Sequence, residues 1–269
     1  MTAKMHRMHF PKVGEGVIHI PGGTPYEQHD EALFPYGSYV RLGNKGFVYA
    51  KALALLDTSF GAIASKPQKL GQMALAADIE AGDTTITVTV TATNNITKDE
   101  LKDGELVCFA NTIDVFTRGI VSNTAIVTSG VMTVVLDSPV PVDVTAAVGK
   151  VEAMISPYAN VVNTTAPVGG YEAGWYHMVL GMPTYPAAAG KSLWLQVTGP
   201  CWVVPDILVG AQEGDIEVVF GSNGSISIRD TTSHADGKLQ AQHAGYIMAS
   251  AQGGGGGQGA PFIMLDIAH

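Results

Sequence analysis

Charge is what this 269-residue chain has least of. Asp, Glu, Lys and Arg make up 14% of it, where an average soluble domain carries roughly 25%. Basic residues are the scarcer kind, with 15 Lys and Arg against 24 Asp and Glu, which leaves a net charge of −9. Binding to nucleic acid requires clustered cations that neutralise phosphates, so no nucleic-acid partner is expected. Long apolar runs are also missing. None reaches the roughly 18 residues that mark a membrane-crossing helix, and no membrane span is expected. The opening MTAKMHRMHFP has no hydrophobic stretch of secretory length, so no signal peptide is expected either. The two cysteines, Cys108 and Cys201, lie within apolar runs. They read as reduced core residues, in keeping with assembly in a reducing cytosol.

The motifs of catalysis are absent as well. There is no GxSxG elbow, no HExxH, no CxxC pair and no GxGxxG following a strand. The five glycines at 253–257 lack the Lys-Ser/Thr of a phosphate-binding loop and read as a surface loop. His6, His9, His19 and His29 lie in a proline-rich segment that offers no helix or strand pair to converge them on a metal. Glu213, Asp215 and Glu217 read as a solvated strand entrance, although 215 and 217 would share a strand face as two carboxylates of a glycosidase might be read to do. Asp99, Glu100, Asp103 and Glu105 read as a charged turn in preference to a Ca²⁺ site. Trp175, Tyr176 and Tyr185 could stack on a sugar, but core packing is the plainer reading. The expectation is a protein that is not an enzyme, with no catalytic residue, no metal and no cofactor.

What is abundant points to strands. Hydrophobic residues make up 46% of the chain, and there are 32 glycines, with Thr and Val recurring in alternation. That mixture suits strands joined by turns. TTITVTV at 84–90 sets Ile86, Val88 and Val90 on one face and threonines on the other, the pattern of a half-buried antiparallel strand. Further strands follow every 8–12 residues or so to about residue 155, the rhythm of a sandwich or barrel. KSLWLQVTGPCWVVP at 191–205 reads as two strands turning at Gly199-Pro200, a core hairpin around which the rest assembles. Asn223-Gly224 predicts a second hairpin. Strand is predicted at 47–51, followed by an irregular or short helical run to Asp57. FIMLDI at 262–267, apolar on both faces except for Asp266, predicts a strand in a sheet interior. The fold expected is all-β: an antiparallel sandwich or barrel, jelly-roll-like or β-tulip-like, with an extended N-terminal arm. The expected organisation is an arm at 1–40 and β domains at 41–155 and 156–269, the latter two separate or continuous. So little surface charge also favours an oligomer or lattice component, because few ions need desolvating at a contact.

The order of several short motifs resembles that of a known family. They are YVRLGNKGFVYAKAL at 39–53, the Thr/Val strand at 81–90, DGELV at 103–107, VVLDSP at 134–139, Pro157-Tyr158, WLQVTGP at 194–200 and the apolar C-terminal strand. In this order and spacing, over most of residues 37–269, the chain resembles the capsid decoration proteins of tailed bacteriophages, also called cement or auxiliary head proteins. The 1–36 segment and the five-glycine run lie outside the resemblance. The resemblance implies a homotrimer that binds the major capsid protein on the outer surface of the virion, after assembly in the host cytoplasm. There it would stabilise the junctions between capsomers against the pressure of packed DNA. Phe10, Val17, Ile18, Ile20 and Phe34, apolar side chains in a Pro- and Gly-rich arm, are the expected capsid or intersubunit contacts. The alternative is a glycan- or receptor-binding β module of a phage fibre or tail.

Overall fold

The computed structural model describes residues 24–64, 68–91, 95–110, 115–163, 178–205, 209, 216–221, 224–228, 242–249 and 262–267. All regular structure among them is β. The chain opens with β1 (Gln28–His29), β2 (Tyr39–Leu42), β3 (Lys45–Lys51) and β4 (Ala62–Ala64). Six strands follow: β5 (Gln68–Leu75), β6 (Thr85–Val90), β7 (Glu105–Phe109), β8 (Val115–Asn123), β9 (Gly130–Leu136) and β10 (Lys150–Met154). The last group is β11 (Val161–Asn163), β12 (Val179–Pro183), β13 (Ser192–Trp202), β14 (Glu217–Phe220), β15 (Ile226–Ile228), β16 (His243–Ala249) and β17 (Phe262–Asp266).

The middle six strands close an antiparallel barrel in the order β10-β5-β6-β9-β8-β7. Alternation decides what fills it. Ile86, Val88 and Val90 point inward while Thr85 and Thr89 face water. Leu106, Met132, Val134 and Val151, all fully buried, come from facing strands to complete a solid interior. Among the described residues of this module, the one buried side-chain amide is satisfied by backbone. Asn123 accepts the Leu101 N–H at 2.8 Å and donates to the carbonyls of Thr97 (2.9 Å) and Thr124 (3.0 Å), which ties the loop before β7 to the end of β8.

The strands on either side of the barrel in sequence belong together. β4 and β11, which flank it, pair antiparallel with Val161 opposite Ala64. The outer strands form one curled 11-stranded antiparallel sheet, with β11-β4-β12-β13-β17-β16-β14-β15 in sequence along its length, β1 and β3 branching from β13, and β2 paired to β3. β14 and β15 pair as the predicted hairpin requires, with Phe220 opposite Ile226 and Gly224 at φ 76°, while Asn223 lies outside the described residues. Of the irregular or short helical run anticipated to Asp57, the irregular form is the one present: the chain bends at 53–54, and the N–H groups of Ala52, Leu53 and Leu56 reach outward to the carbonyls of Lys191, Val161 and Ala187.

The anticipated hairpin at 191–205 is instead a single strand, β13, eleven residues long. Leu193, Leu195, Gln196 and Thr198 are each opposed by β3 on one edge, and by β1, β12 or β17 on the other. β3 fills one edge from Ser192 to Thr198, and β17 carries the other edge on to Trp202, which leaves the chain no room to reverse at Gly199-Pro200. Gly199-Pro200 stays inside the strand, in unbroken register with β17. The bulge lies just before it, where the register against β3 slips between Gln196 and Thr198, and Gly199 takes φ 95°. A Cβ there would lie 2.3 Å from the Asn44 carbonyl oxygen, so only glycine fits. The proline costs no ladder bond. The Val197 carbonyl accepts the Ile267 N–H at 3.0 Å, which sets the phase of the β13–β17 pairing so that Gly199 and Cys201 face β17 and Pro200 faces away. The buried Gln196 amide then donates to the carbonyls of Thr198 (3.2 Å), Gly199 (3.2 Å) and Pro200 (2.9 Å).

One face of β13 and β3 carries an aromatic cluster of Phe47, Tyr49 and Trp194. Residues 24–36 fold over it. Phe34 packs 5.2 Å from Tyr49 and 5.3 Å from Trp194, centroid to centroid. Tyr26 meets Phe47 edge-on at 6.1 Å, and the Leu33 N–H donates to the Tyr49 hydroxyl at 3.2 Å.

Replacing Gln196 by Leu strands those bulge carbonyls, at a cost of about 2–3 kcal/mol. Urea unfolding of the Gln196→Leu chain is expected to show a lowered midpoint with an unchanged slope. An unchanged midpoint would mean that the amide does not hold the bulge.

Candidate functional site

Most of the side chains that the sequence suggested for chemistry or contact lie outside the described residues. Phe10, Val17, Ile18 and Ile20 lie outside the described residues, as do His6, His9, His19, Trp175, Tyr176, Glu213, Asp215 and the five-glycine run. Phe34 is buried against Tyr49 and Trp194 of its own chain, so its apolar surface is already committed. Tyr185 is exposed. Glu217 lies across from His243, with 3.0 Å between Oε1 and Nδ1. Glu100 pairs with Lys69 at 2.6 Å and accepts the Thr97 N–H at 2.7 Å. Burial raises the pKa of the Asp103 carboxyl. Among the described residues, no three His, Cys, Asp or Glu side chains converge as metal ligands would.

What the sequence reading missed is the outer face of β13, β17 and β16. β17 does lie in a sheet interior, between β13 and β16, but among the described residues only one of its faces is covered. Ile263 and Leu265 enter the core, whereas Phe262 and Met264 point outward. Register extends that outward face across three strands. Trp202 lies opposite Phe262, and Met264 lies between Pro200 and Tyr246. A bulge between Ile247 and Ala249 brings Met248 beside Phe262. Trp202, Phe262, Met264, Tyr246 and Met248 are each between 36% and 52% exposed. The solvent face of an antiparallel sheet is ordinarily polar, as the threonines of β6 are in this same chain. The legible signal was the run FIMLDI itself: apolar character on both faces, read as burial on both.

At one end of this face is a cavity of about 160 Å³, whose lining includes Tyr26, Lys45, Gln196, Pro200, Trp202 and Phe262. Lys45 Nζ is 6.0 Å from the Tyr26 ring centroid, within cation–π range. Cys201 also borders the cavity. Burial pushes its thiol up to about 11, an effect that nearby Lys45 only partly offsets. Cys108, in the barrel core, is likewise pushed up to about 11 by burial. Both are free thiols. They stay protonated at neutral pH, and a protonated thiol is a poor nucleophile. The wall therefore offers apolar contact, aromatic edges and one cation, a set suited to adhesion.

Comparison of the chain with family models, with curated proteins and with solved structures finds no match.

With raised pKa values, both cysteines are expected to alkylate far more slowly in the folded chain than in urea at about pH 8, near the ordinary thiol pKa. The folded-state rate is expected to climb as pH rises toward 11. Equal rates in folded and unfolded chains at the lower pH would contradict the burial of both thiols.

Proposed function

We propose that the protein is a capsid decoration protein. Its homotrimer binds the major capsid protein on the outer surface of a phage head and braces the junctions between capsomers. The observation that carries this reading is the apolar outer sheet face on a chain with only 14% charged residues. Such a surface associates by area and shape, and few ions must be stripped of water to cover it. The motif order described above supports the same reading. Its segments at 39–53 and 194–200 and the C-terminal strand are neighbours in space, with β3 on one edge of β13 and β17 on the other. A trimer gives three equivalent attachment points, so each can be weak while the assembly holds, since all must release together. The acidic balance of −9 keeps outward surfaces soluble and gives no affinity for the DNA within.

A second reading has one observation in its favour. The cavity flanked by Tyr26, Trp202 and Phe262, together with exposed Tyr185, offers aromatic surfaces of the kind that stack on sugars. It would make the chain a glycan- or receptor-binding module of a fibre or tail, and it predicts a sugar-dependent change in tryptophan fluorescence.

Mixing the purified chain with heads that lack it tests the first reading. Saturable binding to the outside is expected, with raised resistance of the heads to heat or osmotic shock. Because the contact is mainly apolar, binding should change little between about 0.1 and 1 M salt, over which screening shortens from about 10 to 3 Å. No binding, or binding that leaves head stability unaltered, would refute it.

A further inference from the structure

We propose that the outer face of β13, β17 and β16 is the surface through which copies of this chain join one another. The inference deepens the decoration-protein reading and rests on it for the number of copies, three. Aromatic side chains present 150–250 Å² each when fully bared, so five large apolar groups a third to a half exposed offer on the order of 400 Å². A contiguous patch of that size falls within the roughly 300–600 Å² of the largest patch on a typical monomer, which is often a functional surface. It is also about half of the roughly 800 Å² that each partner buries in a standard interface, a fitting share for the apolar centre once a rim is added.

The composition of the face favours a second copy over the shell as its occupant. Trp, Phe, Tyr and Met dominate its centre, and the charges lie at its margin: Asp266 at the end of β17, and the Glu217–His243 pair beside Tyr246. Contacts that persist from folding onward are more hydrophobic and resemble a core cut in half. An open apolar face of this kind favours association before a shell is built. Copies made together cover it at once. The geometry suits the same occupant, because sheet faces pack on one another about 10 Å apart by interleaving side chains. Neighbouring copies can present the same three-strand face around a common axis.

Sedimentation and light scattering of the full chain, alongside Tyr246→Glu and Phe262→Glu variants, test this. The wild type is expected at three times the 28.1 kDa chain mass. Both variants should fall to a single chain with unchanged circular dichroism, while Val131→Glu on the exposed outer wall of the barrel should leave the trimer intact. Peroxide oxidation of the wild type gives a readout that needs no variant. Met248 and Met264 should oxidise several-fold more slowly than Met178 and Met154, whose exposures of 52% and 40% are comparable within one chain. Face variants that keep the wild-type mass, or Met248 and Met264 oxidising as fast as Met178, would overturn the inference. So would a monomeric wild type whose two methionines become reactive on deletion of residues 1–23, since its own arm would then be the cover. Variants that are monomeric yet fill heads to wild-type occupancy would uphold this interface and sink the trimer-brace reading instead.

Discussion

The pairing of both edges of β13 is the constraint on which the outer sheet depends. β3 lies along Ser192–Thr198 on one side, and β1, β12 and β17 follow in turn on the other. The bulge between Gln196 and Thr198 falls where the second edge passes from β12 to β17. Gly199 supplies the conformation, Pro200 turns its missing donor away from β17, and Gln196 satisfies the carbonyls that the bend releases. That junction also sets the phase of β17. It decides that Ile263 and Leu265 enter the core while Phe262 and Met264 face outward. The apolar outer face is therefore a consequence of how the central strand is bent.

β6, β7 and β9 were the most legible strands of the barrel. They alternate cleanly, and in β6 period-2 patterning with threonine outside carries the register without outside help. β5 and β10, whose mutual register slips, were not legible as strands. β13 was legible in its alternation but not in its continuity. Gly-Pro is a turn signal wherever the chain is free to reverse, and what prevents reversal here is neighbours drawn from residues 45–51 and 262–266. No local pattern records such distant partners. Nor could the sequence show that β4 and β11, on either side of the barrel, would pair.

The candidate site was legible only in outline. Low charge suggested a contact-making protein, but attention went to the arm. Phe34, one of the arm's apolar residues, is instead consumed by the cluster of Tyr49 and Trp194. The face that does stand open was hidden in plain alternation. Phe262 and Met264 are as apolar as Ile263 and Leu265, so hydropathy alone could not tell the wet side of β17 from the dry one. Only register, which places Trp202 and Tyr246 beside them, shows that the excess apolar character gathers in one place.

A high-resolution image of heads saturated with this protein tests the central claim, adhesion without chemistry, most directly. The account predicts three copies meeting through the β13–β17–β16 faces, seated where capsomers join on the outer surface, with Trp202 and Phe262 shut away from solvent. Particles without added density, or copies bound singly with that face open to water, would contradict it.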